Sequence, residues 1–353
     1  MIRIAVDARP LAHIRTGIGQ YTYQLLKRLI AEDDLEILLY SQSPVEISEF
    51  QDTANRYSSS KRVSGTLFAQ TTFVKWSKSD QVDAFWSPRH HLPLFLSCPS
   101  VLTIHDLVWR NVPETMIKGG MWAERLLMPP SVRKASKIIC VSNSTRNDLL
   151  LLDASAAAKT SVIYEASDLA PTGTETLSPR ARPFFLFVGT KEPRKNIENL
   201  LLAWRSASIS ASFDLILAGG TGWKFDVPSA LLNLPGVVSL SPNRSELASL
   251  YQQCKALVLP SLYEGFGLPL VEAMTFGKPI ITSNVSSLPE IAGDAAILVS
   301  PKDPGEIAQA IVRLAEDVKL AASLAERSKA RSREFSWDRA ASETAQVLRS
   351  VSA

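Results

Sequence analysis

Twelve short apolar runs, separated by segments of helical periodicity, constrain the fold of this chain more than any other feature. Six lie in the first half, at 2–6, 35–40, 83–86, 101–105, 137–141 and 161–164. Six more lie in the second half, at 184–188, 213–218, 237–240, 256–259, 279–282 and 296–299. A strand that is apolar along its whole length is one covered on both faces, and helices between successive parallel strands supply that cover. Between the two sets lies Asp168–Pro183, rich in Pro, Thr, Ser and Gly, which reads as a linker. The expected fold class is therefore α/β, with two doubly wound domains. The first spans 1–168 and receives a C-terminal helix of about 336–353, which opens near Ser336 or Asp338 and packs back on it. A linker of 169–183 leads to the second domain, 184–335. Ligands of such sheets bind beyond the carboxyl ends of the strands, so the site is expected in a cleft between facing domains.

At 353 residues the chain can fill two hydrophobic cores. A net charge of +3 without a long basic run gives no footprint for nucleic acid. Cys98, Cys140 and Cys254 are far apart among apolar neighbours, which fits buried thiols in a reducing compartment better than a zinc site or a disulfide framework. The segment Met1–Asp7 alternates like a strand and is too polar for a signal peptide. No apolar run approaches the roughly 18 residues of a membrane span. A cytoplasmic protein is expected, one that can touch the inner membrane face without crossing it.

The chemistry concentrates between Pro260 and Gly277. An apolar strand ends at Pro260, a glycine-containing loop follows, and a helix is predicted from about Leu268, with Pro269 in its first turn and Gly277 at its stop. The free N–H groups of Gly267 and Leu268 then form a positive pole suited to a phosphate. Glu264 precedes the pole and Glu272 lies about one turn beyond it. Ionised carboxylates only accept hydrogen bonds, so each suits a vicinal diol. An isolated Glu pair would ordinarily be a turn cap and an exposed helix residue; the Gly-Phe-Gly-Leu-Pro loop around this one favours a site.

The pattern Glu264-Gly-Phe-Gly-Leu-Pro-Leu-Val-Glu272 resembles the E-x7-E signature of the retaining family 4 glycosyltransferases. Their GT-B fold sets two Rossmann-like doubly wound domains facing across a cleft. Ser283–Glu290, Gly189–Asn196, Ile104-His-Asp106 and Gly17–Tyr21 resemble further landmarks of that family, in the same order. The resemblance implies that Glu264 contacts hydroxyls of the donor sugar, Glu272 holds the ribose, and Arg194 and Lys195 grip the diphosphate. It also implies that His105 lies beside the anomeric centre, and that the first domain binds the acceptor and the second the nucleotide-sugar donor. Gly17, Gly19, Gly189, Gly265, Phe266, Gly267 and Leu268 complete the expected donor-binding set. Fixed cations aimed at a departing diphosphate would lower the barrier on their own chemistry. The Gly17-Ile-Gly19 turn departs from the family's pattern, because Thr16 stands where a glycine is frequent.

Other candidates have ordinary structural explanations. Ser142 suits an N-cap, Asp106 a loop brace, and Arg89-His90-His91 follows a strand end from which it could reach an acceptor. No Asp-x-Asp triplet occurs, and Asp33-Asp34 reads as surface. No metal and no cofactor are therefore expected. The nucleoside-diphosphate sugar acts as co-substrate, a GDP-sugar such as GDP-mannose first and a UDP-sugar second. The texture resembles bacterial mannosyl- and rhamnosyltransferases of surface polysaccharides and O-antigen lipopolysaccharide, with saccharide or lipid-linked saccharide acceptors. Two basic stretches, 56–78 with Phe68, Phe73 and Trp76, and 121–137 with Trp122, Leu126, Leu127 and Met128 beside Arg133, Lys134 and Lys137, are candidates for contact with anionic lipid. A nucleotide-sugar epimerase of the same fold and a non-catalytic partner subunit are the alternatives. The first would need acid and base carboxylates at the sugar, and the second would lack Glu264 or Lys195.

Overall fold

The computed structural model describes residues 1–12, 17–58, 65–171 and 182–352. They fall into two compact units, one of 1–107, 122–165 and 336–353, the other of 108–121 and 166–335. The first unit carries a seven-stranded sheet of β1 (Ile2–Asp7), β2 (Leu35–Ser41), β3 (Ala54–Tyr57), β4 (Ala84–Ser87), β5 (Ser100–Ile104), β6 (Lys137–Cys140) and β7 (Thr160–Val162), in the order β3-β2-β1-β4-β5-β6-β7. The second carries β8 (Phe184–Val188), β9 (Asp214–Ala218), β10 (Val237–Leu240), β11 (Ala256–Leu259), β12 (Ile280–Ser283) and β13 (Ala296–Val299), in the order β10-β9-β8-β11-β12-β13. Every pairing is parallel.

Central strands are buried on both faces. Residues Phe184 to Val188 of β8 are all buried, as are Ala256 to Leu259 beside them. All twelve predicted strands form, within a residue or two at their ends. The thirteenth, β3, was not predicted: its sequence Ala-Asn-Arg-Tyr is mostly exposed at the sheet edge, where pairing needs no apolar face. Each strand order reverses once, between β1 and β4 and between β8 and β11. Loops leaving the sheet on opposite sides of such a point open a crevice at the carboxyl ends of the strands.

Three further expectations need comment. The segment 108–121, which precedes the linker and was placed in the first domain, groups with the second unit. There Trp223 Nε1 donates to Thr115 O at 2.9 Å, and Lys224 Nζ to Met116 O at 2.7 Å. In the stretch 56–78 the three aromatic residues do not face solvent: Phe68, Phe73 and Trp76 are buried and pack on one another and on Tyr40, and Met128 of the stretch 121–137 is buried as well. Lys61 and Arg62 of that stretch lie outside the described residues, as does Thr16. Cys98 is only partly buried, whereas Cys140 and Cys254 are buried. Among the described residues no helix is long and apolar enough to cross a membrane.

The last helix, Trp337–Val351, belongs to the first unit. Ser336 caps it by accepting from Arg339 N at 3.3 Å, and it buries Trp337, Ala341, Ala345 and Leu348. Trp337 meets Tyr21 edge-on, at 6.1 Å between ring centroids. At the far end Arg349 pairs with Glu32 at 2.7 Å and with Asp34 at 2.6 Å, so Asp34 holds this helix from the surface. Surface pairs of this kind contribute under about 1 kcal/mol, and the apolar face carries the attachment. Leu348 is fully buried, so Leu348→Ala should cost about 2–4 kcal/mol. Urea unfolding of the first unit measures it; a loss under about 1 kcal/mol would mean that this helix lies outside the core.

Candidate functional site

In the second unit the chain beyond β8 runs Gly189-Thr-Lys-Glu-Pro-Arg-Lys-Asn196. A single 3-10 turn, Pro193–Lys195, ends at Asn196 in the left-handed conformation, and the helix Ile197–Ala207 follows. Asn196 tolerates that conformation, and its side-chain amide donates to Pro260 O at 2.9 Å and to Pro301 O at 2.7 Å. The turn is thereby fastened to the loop beyond β11. A main-chain bond from Leu262 N to Arg194 O, 2.8 Å, adds a second tie. Arg194 and Lys195 are thus held over the crevice between β8 and β11 rather than solvated.

The opposing loop brings Glu264 to them. Its Oε1 accepts from Lys195 Nζ at 2.6 Å and from Ser261 Oγ at 2.7 Å, and its Oε2 from Arg194 at 2.5 Å. Arg194 also donates to Glu192 at 2.7 Å. Glu264, Lys195 and Glu192 are all buried. Burial alone would push the Glu264 carboxyl upward, but the adjoining charges of Arg194 and Lys195 outweigh it and hold the group down at about 2. Lys195 is drawn below the ordinary lysine range by burial, with Glu264 opposing. Gly189 leaves room for this lysine: a Cβ there would stand 3.3 Å from Lys195 Cε, on a backbone with φ of +151°.

The helix expected after this loop runs Leu268–Thr275, with Gly267 as its N-cap at φ +104° and Pro269 in the first turn. The backbone conformation at Gly267 explains the glycine, since L side chains rarely adopt it. Phe266 differs from expectation at the side chain: its ring is buried edge-on against Phe335, so only its backbone can face a ligand. Glu272, five residues into the helix, accepts from Tyr251 OH at 2.7 Å through Oε2. Burial raises its carboxyl and the Tyr251 hydrogen bond partly offsets this. Its Oε1 makes no hydrogen bond among the described residues.

Several residues around this site had no role assigned from the sequence, although all but Tyr251 lie within the Gly189–Asn196 and Ser283–Glu290 landmarks. Glu192 balances Arg194, and Tyr251 orients Glu272. Ser286 Oγ accepts from Glu264 N at 2.9 Å, while Ser287 Oγ donates to the carbonyls of Glu264 and Phe266, both at 2.9 Å. The Ser283–Glu290 motif thus braces the Glu264 loop. Lys191 is buried, its ammonium makes no hydrogen bond or ion pair among the described residues, and burial lowers its pKa.

In the first unit Gly17 and Gly19 are not a loop. They form the first turn of the helix Gly17–Leu29, which buries Tyr21, Leu25 and Leu29 and leaves Ile18 only partly covered. His105 stands just beyond β5, buried. Its Nε2 lies 3.0 Å from Pro88 O and its Nδ1 3.1 Å from Glu165 Oε1. A carbonyl can only accept, so Nε2 carries a proton and donates. Both ring nitrogens are engaged, and the ring packs edge-on against Tyr21 at 4.7 Å. In this arrangement the side chain offers no free nitrogen to a sugar. Ser142 is an N-cap, accepting from Thr145 N at 3.0 Å, and Thr145 Oγ1 donates to His105 O.

In the second unit paired carboxylates, fixed cations and a helix start converge at the reversal point of a doubly wound sheet, the place where ligands of such sheets bind. The second such sheet makes the chain one of the GT-B class. Family models agree along most of its length: "Glycosyltransferase Family 4" matches residues 15–170 and "Glycosyl transferases group 1" matches 174–331. The chain belongs to these glycosyltransferases. It is 29% identical to the O-antigen chain mannosyltransferase B of Escherichia coli, over 97% of this chain and 98% of that one. Against the serotype-specific mannosyltransferase WbdA of Escherichia coli it is 32% identical, over 88% of this chain and 42% of that protein. Its fold matches that of Anabaena Alr3699/HepE, solved with UDP-glucose, at a TM-score of 0.79 and 18% identity, covering 99% of this chain and 100% of that one.

The depressed pKa of Glu264 fixes the sign of an acid effect. The stabilisation it brings is complete above the ordinary value of 4.5 and is lost as pH falls towards about 2. A shift of this size corresponds to about 3 kcal/mol. The stability advantage of wild type over Glu264→Gln should therefore shrink by about that amount between pH 5 and 2, read by calorimetry. A constant difference across that range would show that Glu264 is not held by Arg194 and Lys195.

Proposed function

We propose that this glycosyltransferase moves mannose from GDP-mannose to a saccharide or lipid-linked saccharide, with retention of anomeric configuration, in the assembly of an O-antigen-like polysaccharide. The observation that carries the reading is the caged Glu264: a carboxylate held ionised between two cations at the reversal point of the second sheet. Likeness to two Escherichia coli mannosyltransferases supports mannose as the sugar. GDP is preferred to UDP because it is the nucleotide expected with mannose.

In this reading the diphosphate meets Arg194, Lys195 and the amides at Gly267 and Leu268, with Lys191 as an additional ammonium. Glu264 turns its remaining acceptor capacity to the sugar hydroxyls, and the unbonded Oε1 of Glu272 takes the ribose. The bond from the anomeric carbon to the donor phosphate breaks, and the acceptor oxygen bonds to that carbon on the same face. The acceptor's proton passes to the leaving phosphate oxygen. Negative charge grows on the diphosphate as it departs, and fixed cations stabilise that charge without reorganising. Arg194 and Lys195 serve in place of a divalent metal. His105, with both nitrogens engaged, acts through its position beside the sugar rather than as a proton carrier.

A thermal-shift series with GDP, UDP and ADP tests the base directly, with GDP giving the largest stabilisation. Lys195→Ala should lower turnover of GDP-mannose by about 100- to 1000-fold, equivalent to about 3–4 kcal/mol. A larger shift with UDP overturns the donor assignment, and near-normal turnover in the variant overturns the phosphate role.

Contact with anionic membrane at the inner face is the second part of the proposal. On the helix Lys118–Lys134, Trp122 and Leu126 are exposed one turn apart, with Arg125 over the Trp122 ring at 5.2 Å. Arg133, also exposed, falls on the same helical face by its spacing from Trp122. Aromatic and cationic side chains on one exposed face suit an anionic lipid surface. Sedimentation with vesicles rich in phosphatidylglycerol should fall at least fivefold for the Trp122→Ser, Leu126→Ser double variant. Equal sedimentation of wild type and variant would remove this surface from the reading.

A further inference from the structure

The first unit has a reversal point of its own, between β1 and β4, and a cavity of about 330 Å³ lies there. Its walls come from the chain leaving three adjacent strands: Arg9 after β1, Gln42 after β2, and Arg89 and His91 after β4, with Gly65 and Gln70 closing it. The lining is predominantly polar, and two guanidinium groups share one half-buried space.

Those two arginines differ in kind. Arg9 is fixed: Nε donates to the fully buried Asp7 at 2.7 Å, a second nitrogen to the other Asp7 oxygen, and a third to Gly65 O. Its charge is thus largely balanced by Asp7. Arg89 has no hydrogen bond and no ion pair at its guanidinium among the described residues; only its carbonyl is used, accepting from Ser87 Oγ at 3.2 Å. His91 faces Glu124 at 3.0 Å, and Glu124 also meets His90 at 3.4 Å, so that carboxylate is already committed. Burial weighs against the charge on Arg89; nearby Asp7 favours that charge more than Arg9 opposes it, and Glu124 adds to it, but none of these groups pairs with the guanidinium. A half-buried guanidinium without a partner is costly unless an anion completes it. The floor of the cavity is kept open at Gly65, where a Cβ would come within 3.0 Å of Gln42 and 3.5 Å of Arg9.

We propose that this cavity binds a phosphate group of the acceptor substrate, with Arg89 as its main partner and Arg9 as a second, pre-oriented cation. The unpaired fork of Arg89 matches phosphate oxygens two at a time, and Arg9, whose own fork holds Asp7, adds a fixed positive charge beside it, which suits a phosphate better than a neutral hydroxyl. The acceptor class is then a saccharide joined through phosphate to its carrier. This rests on the reading of the chain as a transferase with its acceptor on the first unit.

The test is binding rather than turnover, so it does not depend on the donor. A glycosyl diphosphate with a short alkyl ester and no nucleobase is titrated calorimetrically into the full chain, beside the neutral alkyl glycoside and the matching glycuronide. Wild type and Lys195→Ala should bind the diphosphate equally. Arg89→Gln should bind it at least tenfold more weakly, and Arg89→Lys should lie between. The neutral glycoside should bind more weakly than the diphosphate to wild type and be insensitive to Arg89→Gln. Loss of binding in Lys195→Ala would put the phosphate at the other unit, and no effect of Arg89→Gln would empty the proposal. Preference for the glycuronide would replace phosphate by carboxylate and overturn it. Failure of GDP to bind, tested separately, would touch only the donor assignment.

Discussion

The second unit is organised around one buried carboxylate. Removing Glu264 from water is costly, and only close, well-directed cations offset that cost. Both cations come from another loop, about seventy positions earlier in sequence. The two loops must therefore meet to within hydrogen-bonding distance, and much of the local architecture serves that meeting. Asn196 and the Leu262 amide tie the loops together, Ser286 and Ser287 hold the Glu264 backbone, and Gly189 leaves the space that Lys195 fills. Sheet topology provides the setting. Strands β8 and β11 are neighbours in the sheet although two strands separate them in sequence, so the loops beyond them share one crevice.

What could be read from the sequence follows from what each residue must do alone. A strand buried on both faces is apolar whatever its neighbours are, so β8 and β11 were visible as runs. A helix that starts after a left-handed glycine and a proline announces itself locally, as at Gly267 and Pro269. Edge strand β3 has no apolar face and left no mark. Phe68, Phe73 and Trp76 show the opposite failure. Aromatic residues among lysines and arginines have one composition whether they face lipid or a core, and only the packing against Tyr40 and Phe85 decides. The segment 108–121 was misplaced because sequence order was taken for spatial order, while Trp223 and Lys224 bind its carbonyls from a distant part of the chain.

At the site the same division holds. Glu264, Arg194, Lys195 and Glu272 stood out because their neighbours form a recognisable pattern, and three of the four do meet in one charge cluster. Their partners were invisible. Glu192 sits inside the Gly189–Asn196 landmark and Tyr251 in an unmarked helix, and neither shows its partner until the fold turns them towards Arg194 and Glu272. His105 was legible as a residue beyond a strand end, but not as a ring with both nitrogens engaged. That depends on Glu165, sixty positions later, and on the Pro88 carbonyl.

The two units share a strand order but treat charge in opposite ways. At the β8/β11 crevice two acids, Glu192 and Glu264, already stand against Arg194 and Lys195, so the diphosphate of the proposed donor would enter as a competing anion. Competition of this kind keeps the cations ordered without a ligand, since each has a partner from which it can be shared. A donor that brings its own strong negative charge can still displace or join those partners, because phosphate oxygens and carboxylates make hydrogen bonds of similar strength with guanidinium. At the β1/β4 crevice Arg9 is paired directly with Asp7, while the Arg89 guanidinium, in a half-buried wall, makes no ion pair or hydrogen bond among the described residues. A neutral acceptor would leave that cost in place, whereas an anionic one removes it on binding. Preordered, balanced cations suit a group whose charge must grow during reaction; an unbalanced one suits a group whose charge stays constant and serves only to hold.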